Sequence, residues 1–295
     1  MHPLQPIVLC FGEILWDFLP DGLFPGGAPL NVAYHLKNLG ADVRLVSAVG
    51  RDLLGDELLR RLRHWHLDTA GISRHQGLPT GYVRVSLPSK GDAQFEIIPS
   101  VAWDQIGTNE DVIRAAHSAR AFVFGSLAQR STMNRATLER LLAVLPPDAE
   151  RVCDVNLRPP HDDLPLAHEL ARKATLLKLN AAEAARLAAS ESASPGREEA
   201  HARALAEQTG CATICITAGA RGAGLLSRGQ WTWEPAQPVT VVDPVGAGDA
   251  FLAAFIALRL DGRPPAECLA GACRLGEWVA SRRGATPVHH TAKAH

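Results

Sequence analysis

Two hydrophobic rhythms run along this chain. In the commoner one, a short continuous apolar run is followed by a longer stretch with apolar positions at helical spacing. Ile7-Val-Leu-Cys-Phe11 is the first such run and reads as a buried strand. Further strands are predicted at residues 44–49, 121–124, 151–154, 176–179 and 213–217. The helical spacing predicts helices over a stretch ending near Leu39, with Gly40 as its stop, and over 52–65, 109–118, 131–145, 164–172, 181–189, 198–209, 250–260 and 265–281. Strands alternating with helices in this way predict an α/β fold: a mostly parallel central sheet with helices on both faces.

The second rhythm is strict alternation. Gly81-Tyr-Val-Arg-Val-Ser-Leu87 alternates apolar and polar residues, Pro88-Ser-Lys-Gly-Asp92 is turn chemistry, and 93–98 is extended again. Residues 80–99 therefore read as a hairpin with one wet face, projecting from the main body. With the apolar stretch around Asp17 (residues 14–20) it would form a small β-sheet lid. Residues 224–227 and 231–234 suggest a hairpin near the sheet edge, and the Ser- and Ala-rich 190–196 a surface loop. No internal repeat or interdomain linker interrupts residues 1–295, which read as one domain with a flexible tail at 288–295.

Composition narrows the classes. With 295 residues and 46% hydrophobic content the chain can bury a sizeable core. The net charge is −1 and the charges are dispersed, which points away from nucleic acid as a partner. The six cysteines form no Cys-x-x-Cys pair and several sit in apolar runs, so they read as buried thiols in a reducing cytoplasm and not as a zinc site. Twelve histidines include no His-Glu-x-x-His, and His289-His290 are expected to be solvated in the tail. The apolar run at 7–11 is too short for a signal peptide, and no stretch approaches the roughly 18 residues of a membrane span.

The candidate chemistry centres on Asp243-Pro-Val-Gly-Ala-Gly-Asp-Ala-Phe251. The β-branched run Pro238-Val-Thr-Val-Val242 before it reads as a buried strand, and residues 250–260 after it as a helix. Gly246-Ala247-Gly248 would then turn a strand into a helix whose first N–H groups lack partners, which is an anion site. Asp249 beside that site is placed to accept a proton, and a base next to a phosphate cradle suggests phosphoryl transfer to a hydroxyl. Three other strand ends carry polar or glycine-rich residues on the same predicted rim: Asp154-Val-Asn-Leu-Arg158, Asn180-Ala-Ala-Glu183 and Thr217-Ala-Gly-Ala-Arg-Gly222. Asp17, a charge inside an apolar stretch, needs a partner or ligand. Other nucleotide signatures fail. There is no Gly-Lys-Ser/Thr, and Phe251 stands where a dinucleotide fingerprint needs its third glycine.

These motifs resemble the ribokinase-like (PfkB-type) carbohydrate kinases, and most of all the bacterial fructokinases. The resemblance runs from Phe11 to about Pro287. It rests on the 243–251 motif, on Gly26-Gly-Ala-Pro-Leu-Asn-Val-Ala33, and on Phe11-Gly-Glu-Ile-Leu-Trp-Asp-Phe-Leu-Pro20, Gly125-Ser-Leu-Ala128 and Asp154-Val-Asn-Leu-Arg-Pro159. It implies a three-layer sandwich and an ATP-dependent kinase acting on a primary hydroxyl of a small sugar, D-fructose first. Ribose, 2-keto-3-deoxygluconate or a nucleoside are the alternatives, as is a catalytically weak sugar-binding regulator of the same fold.

The resemblance also implies roles. Asp249 would be the base, and the N–H groups of Gly246, Ala247 and Gly248 would face the transferring phosphoryl group. Asp17, Gly26, Gly27, Asn31 and Arg158 would hold the sugar. Asn180 and Glu183 would organise Mg²⁺ and phosphate through water, and Thr217, Gly219 and Gly222 would contact ATP. A K⁺ would sit near the carbonyls of Asp243, Val245 and Gly284. Two departures bear on this: Pro244 stands where the family commonly has threonine, and Asn180-Ala-Ala-Glu183 lacks an extra acid. Pairing of lids between two subunits would give a homodimer.

Overall fold

Ile7–Phe11 becomes β1, a strand with neighbours on both sides, in a computed structural model that describes residues 6–19, 22–86 and 94–289. The chain continues with β2 (Leu15–Leu19), β3 (Gly22–Gly26), α1 (Ala28–Asn38), β4 (Asp42–Gly50), α2 (Leu53–His64), β5 (Ile72–His75), β6 (Gly81–Ser86), β7 (Gln94–Ile97) and α3 (Glu110–His117). Next come β8 (Ala119–Gly125), α4 (Thr132–Leu142), β9 (Glu150–Asp154), α5 (Leu164–Lys173), β10 (Leu176–Asn180), α6 (Ala181–Ala189) and α7 (Glu198–Thr209). The last elements are β11 (Thr213–Thr217), β12 (Gly222–Ser227), β13 (Gln230–Pro235), α8 (Ala247–Leu260) and α9 (Pro265–Ala280).

A nine-stranded sheet has the order β13-β12-β11-β10-β9-β8-β1-β4-β5. The strands from β11 to β5 pair in parallel, and β12 and β13 add an antiparallel hairpin at one edge. Alternate residues feed two cores, as the period of a strand requires. Leu9, Phe11, Phe122, Phe124, Ile214 and Ile216 pack towards α3–α7. Val8, Cys10, Val123 and Cys215 pack towards α1, α2, α8 and α9. This is the expected parallel sheet covered on both faces. All six cysteines are free and buried, and burial raises the Cys10 and Cys215 thiols far above the usual range.

The second sheet has the order β3-β2-β6-β7. The 80–99 hairpin thus joins the Asp17 strand as the sequence suggests, with β2 and β6 parallel. Its turn at 88–92, Leu87 and Pro20 lie outside the described residues, as do 290–295 of the tail. β3, not foreseen, arises because Gly22 to Gly26 fold back antiparallel on β2. Among the described residues no helix is long and apolar enough to cross a membrane.

Two expectations need correction. The run 238–242 is not a buried strand. The β12–β13 hairpin already forms that sheet edge, and Val239, Val241 and Val242 are 40%, 57% and 55% exposed. The N–H groups of Val242 and Asp243 instead bond the Ala280 carbonyl at the end of α9. So the 246–248 turn follows an irregular segment. His289 is also not a solvated tail residue. It is half-buried, with Nε2 2.9 Å from Nδ1 of the buried His35, and stacks near Trp278. Tyr34 Oη donates to the Pro287 carbonyl, which ties the same segment to α1.

Candidate active site

The parallel strands point their carboxyl ends at one rim, and the candidate residues gather there. Gly26 and Gly27 end β3 and start α1 where backbone and side chain approach closely. A Cβ on Gly26 would overlap the Asp17 carboxylate, and one on Gly27, whose φ is 108°, would overlap the Glu13 carbonyl. Only glycine allows both contacts. The first turn of α1 carries Asn31, whose Nδ2 donates to Asp249 Oδ2 at 2.8 Å across 218 residues of sequence. Asn31 is buried, and its Oδ1 has no partner among the described residues. A buried acceptor left open costs free energy unless a ligand hydroxyl fills it.

Asp249 lies in the first turn of α8. Gly246 caps that helix in the left-handed region, at φ 79°, with Ala285 packed where a side chain would stand. The Ala247 N–H leans on the Pro244 carbonyl at 3.3 Å. The N–H groups of Gly246, Gly248 and Asp249 have no partner among the described residues, so of the expected set Gly246 and Gly248 are open, Ala247 is partnered, and Asp249 adds a third open donor. The helix dipole adds to their positive potential.

Carboxyls crowd this rim. Burial pushes Asp249 up to about 6; Asp154 raises it further, while Lys178, the Asn31 bond and Arg158 oppose. Burial also raises Asp17 to about 6, against Arg158. Glu13 rises to about 7 by burial, although the N–H groups of Glu13 itself and of Ala28 bond it; nearby, Asp249 raises it and Arg158 lowers it. Arg158 is exposed and forms no ion pair among the described residues, so its guanidinium is free to face these three acids and a ligand. A small cleft beside them is lined by Glu13, Pro29, Val32, Ser126, Asp154 and Asn156, so the Gly125–Ala128 and Asp154–Pro159 motifs meet there.

On the other side of α8, Thr217 pairs with Asn180 in the β10–β11 register. Asn180 and Glu183 form a reciprocal capping box at the start of α6, and Glu183 Oε1 also accepts from Leu157 N–H at 2.9 Å. Glu183 therefore holds the loop that carries Arg158, and each of its oxygens retains one lone pair. A Cβ on Gly222 would strike the Glu234 carbonyl, so hairpin packing demands that glycine. Asp243 accepts from Val245 and Gly284 N–H at 3.0 Å each, which brings the three expected cation residues into one loop pair. Among the described residues no group of three or more His, Cys, Asp or Glu could hold a metal by itself.

Two residues at the rim escaped sequence reasoning. Glu13 follows β1 inside an apolar stretch, the same signal that singled out Asp17. Lys178 alternates with leucines in β10, which suggests a solvent-facing position. It is buried and paired with Asp154, Nζ to Oδ1 at 3.0 Å.

Comparison with known proteins bears on the family and the fold. A family model described as pfkB family carbohydrate kinase matches residues 21–292. An uncharacterized sugar kinase of Pyrococcus horikoshii is 29% identical over 281 residues, covering 89% of this chain and 86% of that protein. A fructokinase of Klebsiella pneumoniae is 28% identical over 256 residues, covering 83% and 82%. The Pyrococcus kinase in complex with ATP superposes with a TM-score of 0.79 at 26% identity, over 95% of this chain and 94% of that one. A Xylella fastidiosa fructokinase with bound ATP gives 0.82 at 23% identity over 96% and 94%, a likeness of fold alone.

Proposed function

The chain belongs to the pfkB family of carbohydrate kinases, and we propose that this sugar kinase transfers the γ-phosphoryl group of ATP to a primary hydroxyl of D-fructose. The observation that carries the reading is the Asn31–Asp249 pair beside unpartnered N–H groups at the start of α8. Asp249, with a pKa near 6, is ionised at neutral pH yet basic enough to take the hydroxyl proton. Such a positioned base contributes about 10²–10⁴-fold. The N–H groups of Gly246, Gly248 and Asp249 face the place where charge develops on the phosphoryl group, and stabilise it there. The open Asn31 Oδ1, Asp17 and Arg158 supply acceptors and a donor for the sugar hydroxyls.

ATP would lie along Asn180, Thr217 and Gly219, with the exposed Val239, Val241 and Val242 as apolar surface beside it. The ATP complex of the Pyrococcus relative supports ATP as the nucleotide. Mg²⁺ would be held as a hydrated ion carried by the phosphates, with the free lone pairs of Glu183 as acceptors for its water, since among the described residues no group of three acids could hold it directly. A K⁺ would be held by the carbonyls of Asp243, Val245 and Gly284, whose segments the Asp243 carboxylate ties together. The small sheet would close over the sugar and exclude water. Its edge strand β3, with Leu23 and Phe24 exposed, supports pairing with a second copy.

The test is ADP release with MgATP and D-fructose, ribose, 2-keto-3-deoxygluconate or a nucleoside, with Asp249→Ala as blank. Fructose-dependent release that vanishes in the variant supports the reading. Preference for another acceptor replaces fructose, and near-normal turnover in the variant removes Asp249 from the chemistry.

A further inference from the structure

One buried cation has no part in the reading above. Lys178 lies on β10 in parallel register with Asp154 on β9. Its Nζ is 3.0 Å and 3.3 Å from the two Asp154 oxygens, and 3.0 Å from where a Cβ on Gly248 would stand. The ammonium is therefore wedged beneath the open end of α8, and glycine at 248 leaves room for it. Burial disfavours its charge, but Asp154, Asp249 and Glu183 outweigh that and keep it protonated. A buried ion pair adds little net stability over apolar residues of equal volume. Its charge acts instead on what surrounds it.

Four charged groups act on Asp249. Asp154 on β9 and Glu13 after β1 are negative; Lys178 on β10 and Arg158 after β9 are positive. Asn31 on α1 adds a neutral donor. The set is balanced only while Lys178 is present. We propose that Lys178 is a positioning residue for phosphoryl transfer: its ammonium offsets the Asp154 carboxylate, so that Asp249 stays ionised at the pH of turnover while Gly248 keeps a cation behind its N–H. This rests on the role of Asp249 as base.

Two variants of opposite sign test it. Lys178→Met leaves Asp154 uncompensated, so the acid limb of kcat/KM against pH moves up by about one unit, roughly a fivefold loss at pH 6 relative to pH 8. Asp154→Asn leaves Lys178 uncompensated, so the limb moves down. The same shifts are expected in the titration of Asp249 followed by NMR of carboxyl-¹³C aspartate, assigned by the signal lost in Asp249→Asn. A merely structural lysine would lower turnover equally at every pH. Limbs that stay in place, or that move in the same direction in both variants, overturn the proposal. If Lys178→Met does not fold, the double variant Lys178→Met/Asp154→Asn, which leaves no unpaired charge, is compared with Asp154→Asn: its limb should lie higher, and an unchanged limb overturns the proposal. Absence of wild-type turnover with every acceptor would instead count against the kinase assignment, and the NMR titration would still test the charge balance.

Discussion

Replacing Asp249 with asparagine should inactivate the enzyme and stabilise it, and the gain should depend on pH. The carboxyl is raised from an ordinary 3.8 to about 6, chiefly by burial. A carboxyl with a higher pKa folded than unfolded holds its proton more tightly in the native state. Ionising it therefore costs stability: almost nothing below pH 4, progressively more between about 4 and 6, and a constant amount above that. The shift of about two units corresponds to a ceiling of about 3 kcal/mol at pH 8 and about 1.5 kcal/mol at pH 5. Asp249 is only partly buried by surface area, and that residual solvation reduces the expected gains to about 2 and 1 kcal/mol. An asparagine oxygen still accepts from Asn31 Nδ2, so the 2.8 Å bond survives. Glu13 and Asp17 titrate in both proteins and cancel to first order. Urea unfolding at the two pH values reads the difference as a raised midpoint with unchanged slope. A variant no more stable than wild type at pH 8, or equally stabilised at both pH values, would refute the argument that desolvation dominates Asp249.

Three further outcomes follow from the same geometry. Arg158→Ala removes the guanidinium that lowers Asp17, Glu13 and Asp249, so the acid limb of kcat/KM should move to higher pH and KM for the sugar should rise. Glu183→Gln turns an amide NH₂ towards one of the N–H donors of Asn180 and Leu157, which should cost about 1–3 kcal/mol in denaturant titration and raise KM by loosening the Arg158 loop. Gly27→Ala forces a side chain to φ 108° against the Glu13 carbonyl and should lower the urea midpoint by the equivalent of about 1–3 kcal/mol.

Most of the parallel sheet was legible because β1, β4, β8, β9, β10 and β11 are short apolar runs set among helices of clear period, while the edge strand β5, only four residues with a polar middle, was missed. The lid hairpin was legible because Tyr82, Val83 and Arg84 alternate. What failed was everything that depends on neighbours. Residues 238–242 have β-branched composition, but composition does not choose a partner: they leave the edge of β13 unpaired, and the Val242 and Asp243 N–H groups bond the end of α9 instead. Lys178 went unremarked inside a run read as apolar, although a charge on a central parallel strand, which has no wet face, calls for a partner. Its partner Asp154 was in view, and the register between β9 and β10, which joins them, is not written in either strand alone. The roster of site residues converged on one rim, while the contacts that set their ionisation came only from three dimensions.

The bond between Asn31 and Asp249 also constrains when the site can exist. Its partners are separated by 218 residues, while β1 can already pair with β4 once the first fifty or so residues are made. Contacts this distant in sequence slow folding, because the intervening loop must close before they form. On a ribosome, α1 would wait for most of synthesis with Leu30, Val32, Ala33 and Leu36 still uncovered by α8. That interval is when the nascent chain is most open to aggregation or chaperone capture. Appearance of activity would then report completion of the fold, with no partly built yet active species before it.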